Sequence, residues 1–92
     1  MVVIIQIKVK VKQETLKEFG AKLISGKLDR SSIISETYCE KSDPSVGISY
    51  WEVENMKEFE NKFSLWKNYY KEIEIKEVIT AKEAMVLLFS SK

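Results

Sequence analysis

Apolar and polar residues alternate at the start of the chain. Ile5, Ile7, Val9 and Val11 are separated by Gln6, Lys8 and Lys10, and Lys12 follows. A period of two built on β-branched residues predicts a strand over 2–12 with one face buried. From Gln13 to about Ser25 the period lengthens, so that Leu16, Phe19, Gly20, Leu23 and Ile24 share one helical face opposite Lys17, Glu18 and Lys22. Gly26 is a natural stop for this helix. Gly20, on the apolar side, is expected to let the helix approach the sheet closely, at a cost of about 1 kcal/mol in helix propensity relative to Ala.

A polar connector over 27–32 leads to a second predicted strand, about Ile33–Glu40. Ser42-Asp43-Pro44-Ser45 carries turn chemistry, since Pro44 presets one dihedral and Asp43 can bond the backbone ahead of it. A third strand over 47–53 then makes an antiparallel hairpin with the second. Asn55 can cap a helix running to about Tyr70, with Glu58 positioned to return the bond. Met56, Phe59, Phe63, Trp66 and Tyr70 form its apolar stripe, and Lys57, Glu60, Asn61, Lys67 and Asn68 face the other way. A fourth strand over 72–80 alternates Ile73 and Ile75 with glutamates and a lysine. Its rhythm slips at Glu77-Val78-Ile79, where a β-bulge is expected. Thr80 and Glu83 form a capping box for a terminal helix over 81–89, whose last turns are apolar nearly all round. Such a helix needs something to pack on, and a partner subunit is the expectation.

The order β-α-β-β-α-β plus a helix predicts one α+β domain over 1–92. It is the ferredoxin-like arrangement: a four-stranded antiparallel sheet with both helices on one face. Parity then divides the strands. Ile5, Ile7, Val9, Val11, Ile33, Cys39, Trp51, Val53, Ile73 and Ile75 fall under the helices. The open face carries Ile4, Gln6, Lys8, Lys10, Glu36, Tyr38, Glu40, Ile48, Tyr50, Glu52, Glu72, Glu74 and Lys76. With the first strand central, its lysines face glutamates on both sides. That face reads either as a solvated charge ladder or as an interface, with Ile4, Gln6, Tyr38, Ile48 and Tyr50 at its less polar patch.

Trp66 late in the second helix, Glu74 on the fourth strand and the ending Val78-Ile79-Thr80-Ala81-Lys82-Glu83-Ala84 carry a resemblance. Together with the order of elements, they make the chain resemble the dimeric α/β-barrel superfamily. In particular it is similar to a family of uncharacterised bacterial and archaeal domains of its own size. The resemblance implies a homodimer in which two sheets pack face to face, and it implies no reaction. Better-known members of the superfamily include cofactor-independent monooxygenases, haem-degrading enzymes and lactone isomerases. The monooxygenase pocket lies between sheet and helices and is lined by Trp, Tyr and Asn. On that likeness Trp51, Trp66, Asn61 and Tyr70 are the candidate ligand-binding residues. An aromatic stripe at helical spacing that faces a sheet is, however, normally plain core, and that is the stronger reading of these residues.

Composition narrows the chemistry. The chain has 15 basic and 14 acidic residues, mixed along its length, for a net charge of +1. No basic block marks a nucleic-acid footprint. The charge is nearly all Lys and Glu, a bias resembling that of hyperthermophile proteins. With no His, there is no proximal haem ligand, no Ser-His-Asp triad and no zinc site of the usual kind. No glycine-rich phosphate loop occurs. The lone Cys39 cannot form an internal disulfide, which suits a reducing cytoplasm, and the apolar run of the first residues is too short for a membrane span and is not expected to act as a leader.

The RNA-recognition module shares this topology. Gly47 and Tyr50 match its third-strand motif, but Ile48 stands at the first stacking position and the first strand has no aromatic. The expectation is therefore a cytoplasmic homodimer without cofactor, metal, nucleic acid or membrane. It would hold a small apolar or aromatic ligand, or use the same pocket as a cofactor-independent monooxygenase or isomerase.

Overall fold

The computed structural model describes residues 2–90. Four strands, β1 (Val3–Val11), β2 (Tyr38–Cys39), β3 (Val46–Val53) and β4 (Tyr70–Val78), form one sheet in the order β2-β3-β1-β4. Every neighbouring pair is antiparallel. Helices α1 (Leu16–Ser25), α2 (Met56–Phe63) and α3 (Ala81–Ser90) complete an α+β architecture with an open sheet.

The register confirms the division of β1 and β3 between two faces. Ile5 pairs with Trp51 and Val3 with Val53 on the helix side, while Gln6 pairs with Tyr50 and Ile4 with Glu52 on the open side. Ile5, Ile7, Trp51, Val53, Phe59, Phe63, Trp66, Tyr69 and Leu28 make the core. On β4 the expected side is right but the burial is not. Ile73 and Ile75 lie opposite Val9 and Ile7, yet each remains 40% exposed, because the helices cover β3 and β1 and leave the edge strand half bare.

The second strand is far shorter than predicted. Ile33 bridges Trp51, and Tyr38 pairs with Ile48, so four residues (34–37) lie opposite only Ser49 and Tyr50. The two surplus residues preserve parity while breaking the ladder. Ser35 and Glu36 offer no apolar side chain that would hold that segment against the sheet. Cys39, expected under the helices, keeps that side of the sheet opposite Gly47 but is exposed at its edge.

The second helix also stops early. Asn55 caps α2 as predicted, its Oδ1 accepting the Glu58 N–H at 2.9 Å, while Glu58 takes the Glu54 N–H rather than that of Asn55. After Phe63 the chain tightens into a 3-10 turn over 67–69, and Tyr70 already begins β4 opposite Val11. The bulge predicted near Val78 is absent there, since Val78 pairs with Ile4. The register slips at the other end, where Tyr70 and Glu72 oppose Val11 and Lys10 and Lys71 is the extra residue.

On α1, Phe19 and Leu23 reach the core, but Leu16 is 53% and Ile24 91% exposed. Gly20 meets nothing within 4 Å where a Cβ would stand, so no close approach depends on it. Gly26 closes the helix in the left-handed region at φ 76°, where an L side chain would be strained. The Thr80–Glu83 capping box opens α3 with both reciprocal bonds, at 3.1 and 3.2 Å. The molecule is long, 50 × 30 × 19 Å, with a radius of gyration of 15.0 Å. A compact chain of this length has about 12 Å. Among the described residues no helix is long and apolar enough to cross a membrane.

Candidate functional site

On its helix side β3 presents Val53, Trp51, Ser49 and Gly47 in turn, so the strand changes from large to small side chains along one face. The large end is filled. Trp51 meets Phe59, Phe63 and Trp66 edge-on at 5.7, 5.8 and 5.5 Å between ring centroids, and Phe59 stacks on Phe63 at 5.2 Å. Such pairs add about 0.5–1.5 kcal/mol each to the burial they accompany.

The small end is not filled. A cavity of about 260 Å³ lies over Ser49 and Gly47, bounded by β1, by Phe19 and Leu23 of α1, and by Trp51, Phe63, Trp66 and Tyr70. Its rim is made by Arg30 and Ile33 of the connector, Thr37 and Cys39, and Pro44 and Ser45 of the hairpin turn. Protein interiors rarely leave such a space between packed elements.

The rim is shaped by local hydrogen bonds. Asp43 Oδ1 accepts from the Ser45 hydroxyl at 2.6 Å and the Ser45 N–H at 3.2 Å, and the Val46 N–H donates to the Asp43 carbonyl at 3.0 Å. The two Ser45 bonds, together with Lys10 at 3.1 Å, hold the Asp43 carboxyl below its usual range. Across the cavity Asp29 accepts the Ser31 N–H at 2.9 Å, and the Arg30 carbonyl takes the Ile33 N–H at 3.1 Å. Leu28, inside this connector, is 3% exposed and anchors it to the core.

Three of the four candidate ligand residues come together. Trp51, Trp66 and Tyr70 all line the cavity, whereas Asn61 stands on the solvent side of α2, where its carbonyl accepts the Ser64 hydroxyl. Burial pushes the Tyr70 hydroxyl well above its ordinary range, so it stays protonated at neutral pH. Ser49 accepts the Trp51 indole N–H at 3.3 Å, which leaves its own proton available. The stripe thus serves both as core and as cavity wall. Sequence reasoning missed Arg30, Thr37 and Ser49. Only Ser49 had a signal, as a small polar residue at an inward position of a strand.

Ile4, Gln6, Tyr38, Ile48 and Tyr50 all lie on the open face. Gln6 donates to the Tyr50 hydroxyl at 3.0 Å, and Tyr38 is 67% exposed. The lysines of β1 do not bond the glutamates opposite them on β4. Lys8 reaches Glu40 at 3.5 Å, past the end of β2, and Lys10 reaches Asp43 in the hairpin turn, while Glu74 pairs with Lys76 on its own strand at 3.1 Å. Among the described residues no cluster of three His, Cys, Asp or Glu side chains could hold a metal ion.

No protein-family model and no curated protein sequence matches the chain. Among solved structures it is similar to a conserved protein from Methanosarcina mazei Go1. The TM-score is 0.50 and the identity 21%, over 85% of this chain and 91% of that one. At this identity the likeness extends to the fold alone.

Proposed function

We propose that this protein is a small-molecule binding module of ferredoxin-like fold, and that its aromatic-walled cavity takes a small apolar or aromatic ligand. The observation that carries the reading is the cavity itself. An engineered apolar cavity of about 150 Å³ in another protein admits benzene. A space of about 260 Å³ therefore has room for a bicyclic aromatic body or a short aliphatic chain. The lining, aromatic and aliphatic with hydroxyls, a thiol and a guanidinium, suits the holding of such a ligand. A cofactor-independent monooxygenase or isomerase using the same cavity is the second reading.

The same proposal includes a homodimer. Two features support it: the open sheet face with its half-buried Ile4, Ile48 and Tyr50, and the apolar surface of α3, where Met85, Val86 and Leu87 are 48%, 62% and 60% exposed. Native mass spectrometry reads the subunit count, with a dimer expected; a bare monomer overturns the dimer and leaves the cavity untouched.

Calorimetric titration with 2-naphthamide, a neutral bicyclic probe, tests the cavity. Micromolar binding is expected, and it should be lost in Leu23→Trp and in Val9→Phe, each of which fills the space from a different wall. Binding that survives both folded variants would place the probe elsewhere and overturn the reading.

A further inference from the structure

Arg30 is the only arginine in the chain, and it stands at the rim of the cavity. It enters none of the ion pairs formed among the described residues. Beside it in the chain Asp29 bonds Ser31, and at the hairpin Asp43 bonds Ser45 and Lys10 while Glu40 pairs with Lys8. Arg30 is exposed, so its guanidinium can turn to a ligand at the cavity mouth, and its fork of donors matches a carboxylate bidentately.

The backbone around Arg30 is held in place. The Asp29–Ser31 bond and the Arg30–Ile33 bond form consecutive turns, and the buried Leu28 pins the segment to the core. Inside the cavity Ser49 keeps a hydroxyl proton to donate, and the protonated Tyr70 hydroxyl makes no hydrogen bond to another described residue. The site therefore offers an aromatic body cavity, one cationic rim group and neutral donors within. Each polar group is one that an anionic oxygen would accept from.

We infer that the ligand is an amphipathic monocarboxylate, an aryl or short-chain aliphatic acid whose apolar body fills the cavity and whose carboxylate pairs with Arg30. This inference rests on the cavity reading above and adds the charge of the ligand to it. An aliphatic or aromatic amine is the chemistry it rules out, since a cation would meet Arg30 at the rim.

A matched pair of probes separates the two claims. Titration of the full chain with 2-naphthoate and with 2-naphthamide holds the body constant and changes only the charge. The carboxylate should bind about tenfold more tightly at low salt, in line with a charge-assisted bond at a partly solvated site. The preference should shrink as salt is raised. Arg30→Gln should equalise the two probes without weakening the amide, and Arg30→Lys should retain part of the preference.

Equal binding of the two probes to the native protein overturns the inference and leaves the cavity reading standing. A preference that persists in Arg30→Gln overturns the assignment to Arg30. Failure of both probes to bind removes the cavity reading and the inference with it.

Discussion

α1 and α2 lie against the same face of the same sheet, and they use it differently. α2 is eight residues long, and its Phe59 and Phe63 are each 1% exposed; α1 is ten residues long and buries none of its side chains fully. The sequences of the two helices do not explain this, since α1 has as many apolar residues on its predicted face. The strand beneath them does. Opposite α2 the sheet offers Trp51 and Val53, which interlock with phenylalanines, whereas the other end of β3 offers Ser49 and Gly47, which cannot reach the helix above. A helix is buried by what it meets as much as by its own stripe, and here the mismatch leaves a cavity with a charged rim.

The largest test of that contrast removes one ring from the packed half. Phe59→Ala should cost about 3–5 kcal/mol, because the ring is enclosed by Trp51 and Phe63 and its neighbours cannot close the gap. Leu23→Ala, at the cavity wall, should cost about 1 kcal/mol or less, since its methyl groups already border empty space. Denaturant unfolding of both variants measures the difference. Equal losses would mean that the α1 half is as tightly packed as the other and that the cavity closes in solution.

Where local chemistry sets an element, the sequence was enough to find it. The alternation in β1, the Asn55 cap, the Asp43–Ser45 turn and the Thr80–Glu83 box all stand where the residues put them. The end of α2 was not legible, because Trp66 and Tyr70 continue the helical spacing by coincidence. Their positions are set by tertiary pairing: the Lys12 N–H bonds the Tyr69 carbonyl at 2.7 Å, and Tyr70 joins the ladder beside Val11. The short β2 was hidden for a similar reason, since strand propensity at Ile33-Ile34 says nothing about whether Ser35 and Glu36 will stay on the sheet. Of the candidate site, the aromatic walls were readable as a stripe. Arg30 was not, because a loop residue's place at a rim depends on the core contact of its neighbour Leu28.

Gly20 sharpens the comparison from the loose side. It occupies the interior of α1 with open space where a Cβ would go, and its φ is not in the left-handed region. Gly20→Ala should therefore stabilise the protein by up to about 1 kcal/mol, through helix propensity and a less flexible unfolded chain. Measured by thermal unfolding, the midpoint should rise by a few degrees. A destabilised variant would show that α1 packs more closely in solution than its exposure indicates, and would weaken the contrast with α2.

The smallest expected effect concerns the rim turn and its response to acid. Asp43 has a carboxyl lowered by its bonds to Ser45 and by Lys10, and its side chain is 41% exposed, so its share of stability is slight. Its folded value lies below the unfolded one, so the stabilisation is fully present above the ordinary aspartate range near 3.9. It fades as the pH falls through the lowered folded value. The packed half has no titratable group among Trp51, Phe59, Phe63 and Trp66, and should be indifferent over that window. Amide exchange at Ser45 and Val46 should accelerate relative to that at Phe63 as the pH drops from 5 towards about 2.5, after correction for intrinsic rates. In Asp43→Asn the two regions should keep a constant ratio across the same range. A parallel change in both regions of the native protein would mean that the rim and the aromatic core open as one cooperative unit, and that the two halves differ in packing but not in independence.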